Sequence, residues 1–102
     1  MSSFQIDTNA DGVRLRLVGE LTIEQARALH AALANALQPG HTLFVNAAGA
    51  TRFDAAALQV LIAAARHVAQ AVLTAPAPAW EAAFRRYALA DPFTAPGNSV
   101  SS

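Results

Sequence analysis

The chain has 102 residues, enough for one domain with a modest core. Seven Arg, no Lys and seven acids cancel to a net charge of zero, which argues against a broad nucleic-acid or anionic-membrane surface. The absence of Cys excludes disulfides, thiol chemistry and Cys-based metal sites. With 26 residues being Ala, the burial falls to Leu, Val, Ile, Phe and Trp.

In chain order, Phe4 and Ile6 alternate with polar neighbours, and Val13, Leu15 and Leu17 alternate with Arg14 and Arg16. The turn formers Thr8 to Gly12 lie between, so the stretch reads as an antiparallel hairpin with one wet face. Gly19-Glu20-Leu21 leads out of it. Thr22 to Gln25 fits a capping box, and Ile23, Ala26, Leu29, Leu33 and Leu37 form one helical stripe that Gln38-Pro39-Gly40 stops. Thr42 to Val45 is continuously apolar, as in a strand buried on both faces. A Gly-containing turn follows, with Thr51 and Arg52 in it. Asp54 then opens a second helix as its N-cap, with Leu58, Leu61, Ile62, Ala65 and Val68 as the stripe.

Ala71 to Thr74 is a brief last strand. Pro76 and Pro78 precede a third helix striped with Trp80, Ala83, Phe84 and Tyr87, whose aromatic rings are expected to fill the core. Two strand-helix-strand units imply parallel pairing and right-handed crossovers. The expected fold is α/β: a small mixed four-stranded sheet in the order β-β-α-β-α-β-α, covered by helices. One domain is expected over residues 1–93, with a mobile tail over 94–102. The N-terminus shows no basic segment followed by an apolar run, and the longest apolar window, Ala55 to Ala65, is too short to span a bilayer, so a cytoplasmic protein is expected.

Residues 45 to 58, Val-Asn-Ala-Ala-Gly-Ala-Thr-Arg-Phe-Asp-Ala-Ala-Ala-Leu, closely resemble the signature of STAS domains, the family of bacterial anti-sigma-factor antagonists and transporter-associated regulatory domains. Gly19-Glu20-Leu21-Thr22 looks like that family's junction before its first helix, and Leu89 to Phe93 looks like its ending after the last. The resemblance covers Phe4 to Phe93. Several positions depart from it. Asn46 stands at the family's strand-end Asp, and Ala47 and Ala48 replace its Leu and Ser. Ala55, Ala56 and Ala57 replace the hydroxyl residues and Gly after Asp54. The segment from Arg66 to Ala71 is shorter than usual and lacks the joining Gly, which bears on where the second helix ends. Ala55 occupies the place of the family's phospho-acceptor, so no phosphorylation is expected there. Thr51 is the nearest remaining hydroxyl and a remote substitute candidate, its first role being that of a turn residue bonding local backbone.

By this resemblance the chain is a non-catalytic interaction module. Its contact surface would comprise Thr22, Thr51, Arg52, Phe53, Asp54, Ala55, Ala56 and Gln59 at the start of the second helix. The implied partner is a kinase-like anti-sigma factor or signalling protein. The alternative is an accessory subunit of a lipid-transporting ABC complex, docking on its ATPase by the same corner. A third reading, a small enzyme, needs chemistry the chain does not supply. Ser occurs only at positions 2, 3, 99, 101 and 102. His30, His41 and His67 have no ligand spacing, and the isolated glycines form no phosphate-cradling loop. No catalytic residue, metal or cofactor is expected, nor a nucleic-acid partner or direct membrane insertion.

Overall fold

The computed structural model describes residues 4–94. β1 (Phe4–Asn9) and β2 (Gly12–Leu21) form the expected hairpin, with Asn9 opposite Gly12. α1 (Ile23–Ala36), β3 (Thr42–Phe53), α2 (Ala55–His67), β4 (Gln70–Ala75) and α3 (Pro78–Arg86) follow. The sheet order is β1-β2-β3-β4, antiparallel between the first pair and parallel between the others. Because the order steps one way across the sheet, two right-handed crossovers place α1 and α2 on the same face. That face carries Val13, Leu15, Leu17, Leu43, Val45 and Leu73, all buried, and the two helices cover it with Leu29, Leu33, Leu58 and Leu61.

The other face is open. Arg14, Arg16 and Thr74 are exposed there, and Phe44 is half-buried, with the Arg14 guanidinium 4.5 Å above its ring. The strand from Thr42 is therefore not buried on both sides, as its apolar run suggests. A stacked Arg supplies the cover that a helix would otherwise give.

β3 is also longer than its apolar run. It does not turn at Gly49 but continues to Phe53, so Thr51 and Arg52 lie in a strand. Two bulges explain the loss of simple alternation. From Arg16 to Val18, β2 advances two residues while β3 goes from Asn46 to Gly49. From Gly19 to Glu20 it advances one while β3 goes from Ala50 to Arg52. Each extra residue moves the inward position along, which puts Ala47, Ala50 and Phe53 in the core at spacings of three. The Asn46 carboxamide oxygen accepts from the Ala48 N–H at 3.0 Å and steadies the first bulge. Opposite the second, Gly19 has φ +74°, which L side chains rarely adopt. Gly12 is required for a different reason: a Cβ there would lie 2.0 Å from the Thr42 carbonyl oxygen.

The capping box at Thr22 forms, with the Gln25 side chain accepting from the Thr22 N–H at 3.2 Å. Ile23 does not join the buried stripe of α1. At the helix's first position it is 57% exposed. α2 ends at His67, and only Val68 and Ala69 connect it to β4. α3 begins with Pro78 in its first turn and packs against β3. Trp80 is fully buried, with ring centroids of Phe53, Phe84 and Phe93 at 5.6, 5.1 and 5.3 Å. Tyr87 stays half-buried at the helix end. The Trp80 indole N–H donates to Asp91 Oδ2 at 2.8 Å, and Asp91 Oδ1 accepts from the Phe93 N–H at 2.8 Å. Asp91 thus folds the segment after α3 back over the indole. Thr94 goes on to pair with β4, donating its N–H to the Ala71 carbonyl and accepting from the Leu73 N–H. The pairing with the sheet therefore includes residue 94. The rest of the expected tail, 95–102, lies outside the described residues.

Two stability measurements follow. Asp91→Ala leaves the buried Trp80 N–H without a partner and should cost about 1–3 kcal/mol in urea unfolding followed by Trp80 fluorescence. α3 closes with Leu89 N–H to Phe84 C=O and Ala88 N–H to Arg85 C=O, around Ala88 at φ 55°. That left-handed position favours Gly, so Ala88→Gly should stabilise by about 0.5–1 kcal/mol in the same assay.

Candidate functional site: the corner where two helices begin

β2 and β3 run parallel and end together, with Leu21 opposite Phe53. The Asp54 N–H donates to the Leu21 carbonyl at 2.9 Å. One residue after each strand a helix starts, so α1 and α2 present their N-termini side by side at the carboxyl edge of the sheet. In open α/β sheets this edge is where ligands and partners are met.

Asp54 stands at the N-cap of α2 with extended backbone, but its side chain accepts no hydrogen bond from the first turn. The expected capping contact is replaced by a backbone one: the Asp54 carbonyl accepts from the Ala57 and Leu58 N–H groups at 3.0 and 3.3 Å. The carboxylate lies instead 3.6 Å from Arg52 Nε, with side chains 63% (Arg52) and 30% (Asp54) exposed. A pair so open to water contributes little stability. Ala55 and Ala56 are half-buried and Gln59 is exposed along the same start of α2. Thr51 is exposed on β3, and Thr22 is half-buried, its hydroxyl directed to Gln25. Phe53, expected at the contact surface, lies beneath it, buried against Trp80. It supports the corner from within because the second bulge turns it inward.

Seven of the eight expected contact residues are thus at least partly accessible: Thr22, Arg52, Asp54, Ala55 and Ala56 lie where the two helices begin, Gln59 is one turn into α2, and Thr51 shares a shallow hollow with Ala79, Ala82 and Arg86 of α3. The sequence reading missed one other. Val18 and Ile23, 44% and 57% exposed, are the large apolar side chains left in water among the described residues; Ile23 opens α1 at the corner, while Val18 follows Arg14 and Arg16 in the outward alternation of β2. Ile23 matches the helical stripe by spacing. The signal against burial was its place at the first helical position, where a side chain projects past the covered face. His30 and His67 lie on different helices and far apart in sequence, yet both line a groove between α1 and α2. His41 is in the loop before β3, with a buried Nδ1 that has no partner. Among the described residues no three His, Cys, Asp or Glu side chains gather in a metal-binding group, and no helix is long and apolar enough to cross a membrane. The five Ser lie outside the described residues.

A mixed four-stranded sheet with two parallel crossovers, a bulged third strand and an acid opening the second helix defines a STAS-type domain. Residues 4–95 match the family model described as Mlab, STAS domain, and the chain belongs to that family. A comparison with curated proteins finds no match. Among solved structures, the anti-sigma factor antagonist SpoIIAA in its unphosphorylated form is similar at 19% identity, covering 96% of this chain and 91% of that one, with a TM-score of 0.62. The phosphorylated form of SpoIIAA, a Bacillus cell-fate determinant, gives 18% identity, coverage of 96% and 95%, and a TM-score of 0.64. An anti-sigma factor antagonist from Mycobacterium paratuberculosis gives 15%, 96%, 88% and 0.64. At these identities the likeness is one of fold.

The geometry makes Asp54 a poor structural cap. Asp54→Ala should cost no more than about 0.5 kcal/mol in urea unfolding, against about 1 kcal/mol for a hydrogen-bonded N-cap.

Proposed function

We propose that the protein is a non-catalytic interaction module that acts in the cytoplasm and binds a regulatory protein partner through the corner at the start of α2. The observation that carries this reading is the company the corner keeps. Ile23, exposed at the first position of α1, lines one hollow with Ala26, Ala56 and Val60, next to Thr22 and to Arg52, Asp54 and Ala55 where α2 begins. An apolar patch rimmed by a few polar groups suits a protein partner. The similar structures are anti-sigma factor antagonists, which supports an anti-sigma factor as the partner class, and we take it to be kinase-like.

A phosphate at the first position of α2 would place nearly two negative charges on this surface. Ala55 cannot carry one, so towards such a partner the protein behaves as permanently unphosphorylated. The same absence favours a second reading, an accessory subunit of a lipid-transporting ABC complex, which needs no phospho-switch. Ala55 and Ala56 then serve as small residues that let an ATPase approach α2 closely.

Affinity capture of the tagged protein from its native cells, with Asp54→Arg as control bait, tests both. A kinase-like ATPase held by the natural protein and lost with the variant is the expected result. Such a kinase should phosphorylate the Ala55→Ser variant and leave the natural chain unmodified; phosphate on Thr51 would move the acceptor there. A transporter ATPase with its permease would establish the second reading. A set of captured proteins indifferent to Asp54→Arg would remove the corner from the interaction.

A further inference from the structure

A long hollow lies away from the sheet, between α1 and α2. Two adjoining depressions of about 300 and 340 Å³ share His30 and Val60 and form one groove. It opens at the corner between Ile23 and Ala56 and ends at Leu37 and His67. It exists because the facing residues are small: Ala26 and Ala34 on α1, Ala56, Ala63 and Ala64 on α2. The floor is apolar, with Leu33, Leu37 and Val60. The ionisable residues lining it are Arg27, His30 and His67, with no Asp or Glu among them.

We propose that this groove receives an amphipathic helix of a protein partner, about four turns long, whose apolar stripe is flanked by Asp and Glu. The length follows from the groove, since Ile23 to Leu37 spans about 21 Å of helix at about 1.5 Å per residue. The helical form follows from the floor. An extended segment would leave backbone N–H and C=O groups facing Leu and Val, whereas a helix satisfies its own. The acidic flanks follow from the Arg and His walls. The direction is also set: α1 and α2 both begin at the corner, so an occupant running antiparallel to them places its negative C-terminal end beside their positive N-terminal ends. The inference deepens the interaction reading by naming the partner's chemistry, but it rests on the groove and not on Asp54.

The probe is a fluorescein-labelled peptide of about 16 residues with Leu at helical spacing and Glu on either side of the stripe, compared with the same peptide carrying Lys for every Glu. Anisotropy titration of the full chain should show binding of the Glu peptide at least tenfold tighter than the Lys peptide. Ala34 and Ala63 are exposed on the groove's two lips, so Ala34→Glu and Ala63→Glu should keep the natural melting temperature. Each should weaken the Glu peptide at least tenfold. Arg16→Ala, on the open face of the sheet, should leave peptide binding within twofold; the corner is read separately by capture with Asp54→Arg, so that a failed corner and a failed groove read differently. Equal binding of the two peptides, or Glu-peptide binding indifferent to both lip variants, overturns the proposal. So does a dimer in sedimentation that Ala63→Glu dissociates, because the occupant would then be a second copy of this chain.

Discussion

The hydrogen bond from the Asp54 N–H to the Leu21 carbonyl sets the geometry on which the rest depends. It joins the ends of two parallel strands at the point where each gives way to a helix. Because the strands end level, the helices start level. Two sets of unbonded N–H groups, one exposed Ile and one short acidic side chain then share a small area of surface. The bulges of β3 make this possible. Without the two extra residues, β3 would end short of Leu21, and Phe53 would not turn inward to meet Trp80.

The abundance of Ala has two opposite effects. Each Ala buries little apolar area, so stability is concentrated in a Leu-rich layer under the helices and in the Trp80 cluster with its three Phe rings. Ala is also a strong helix former, so α2 holds its shape with few long side chains on its outer surface. The groove beside it is what such a helix leaves when it packs against another with small residues at the seam.

The hairpin, both crossovers, the limits of α1 and the aromatic stripe of α3 were legible in the sequence because each is a local pattern: alternation, helical spacing, a capping box, Pro before a helix. The open sheet face was less legible. Phe44 sits in a run that alternation cannot resolve, and its cover, Arg14, comes from another strand. The bulges were misread as a turn at Gly49, since an extra residue in a strand breaks the period without leaving it. At the site, the corner was legible from the residues around Asp54, including the missing hydroxyl at Ala55. The pull of Arg52 on the Asp54 carboxylate was not, because it depends on Arg52 lying in a strand rather than a turn. Asp91 looked like part of a family ending; its two hydrogen bonds, which bind that ending to Trp80, needed coordinates.

The pairing of Thr94 with Ala71 and Leu73 closes part of the outer edge of β4. A sheet that is open along both edges can add copies of itself without limit, each new chain offering the next an edge. Here the first strand leaves a free edge among the described residues, and the last strand is partly taken by the chain's own continuation. A chain adding to the last strand has to displace Thr94 from it first. The few residues after α3 thus act against fibre growth in a neutral, Ala-rich protein that has little charge repulsion to keep its copies apart.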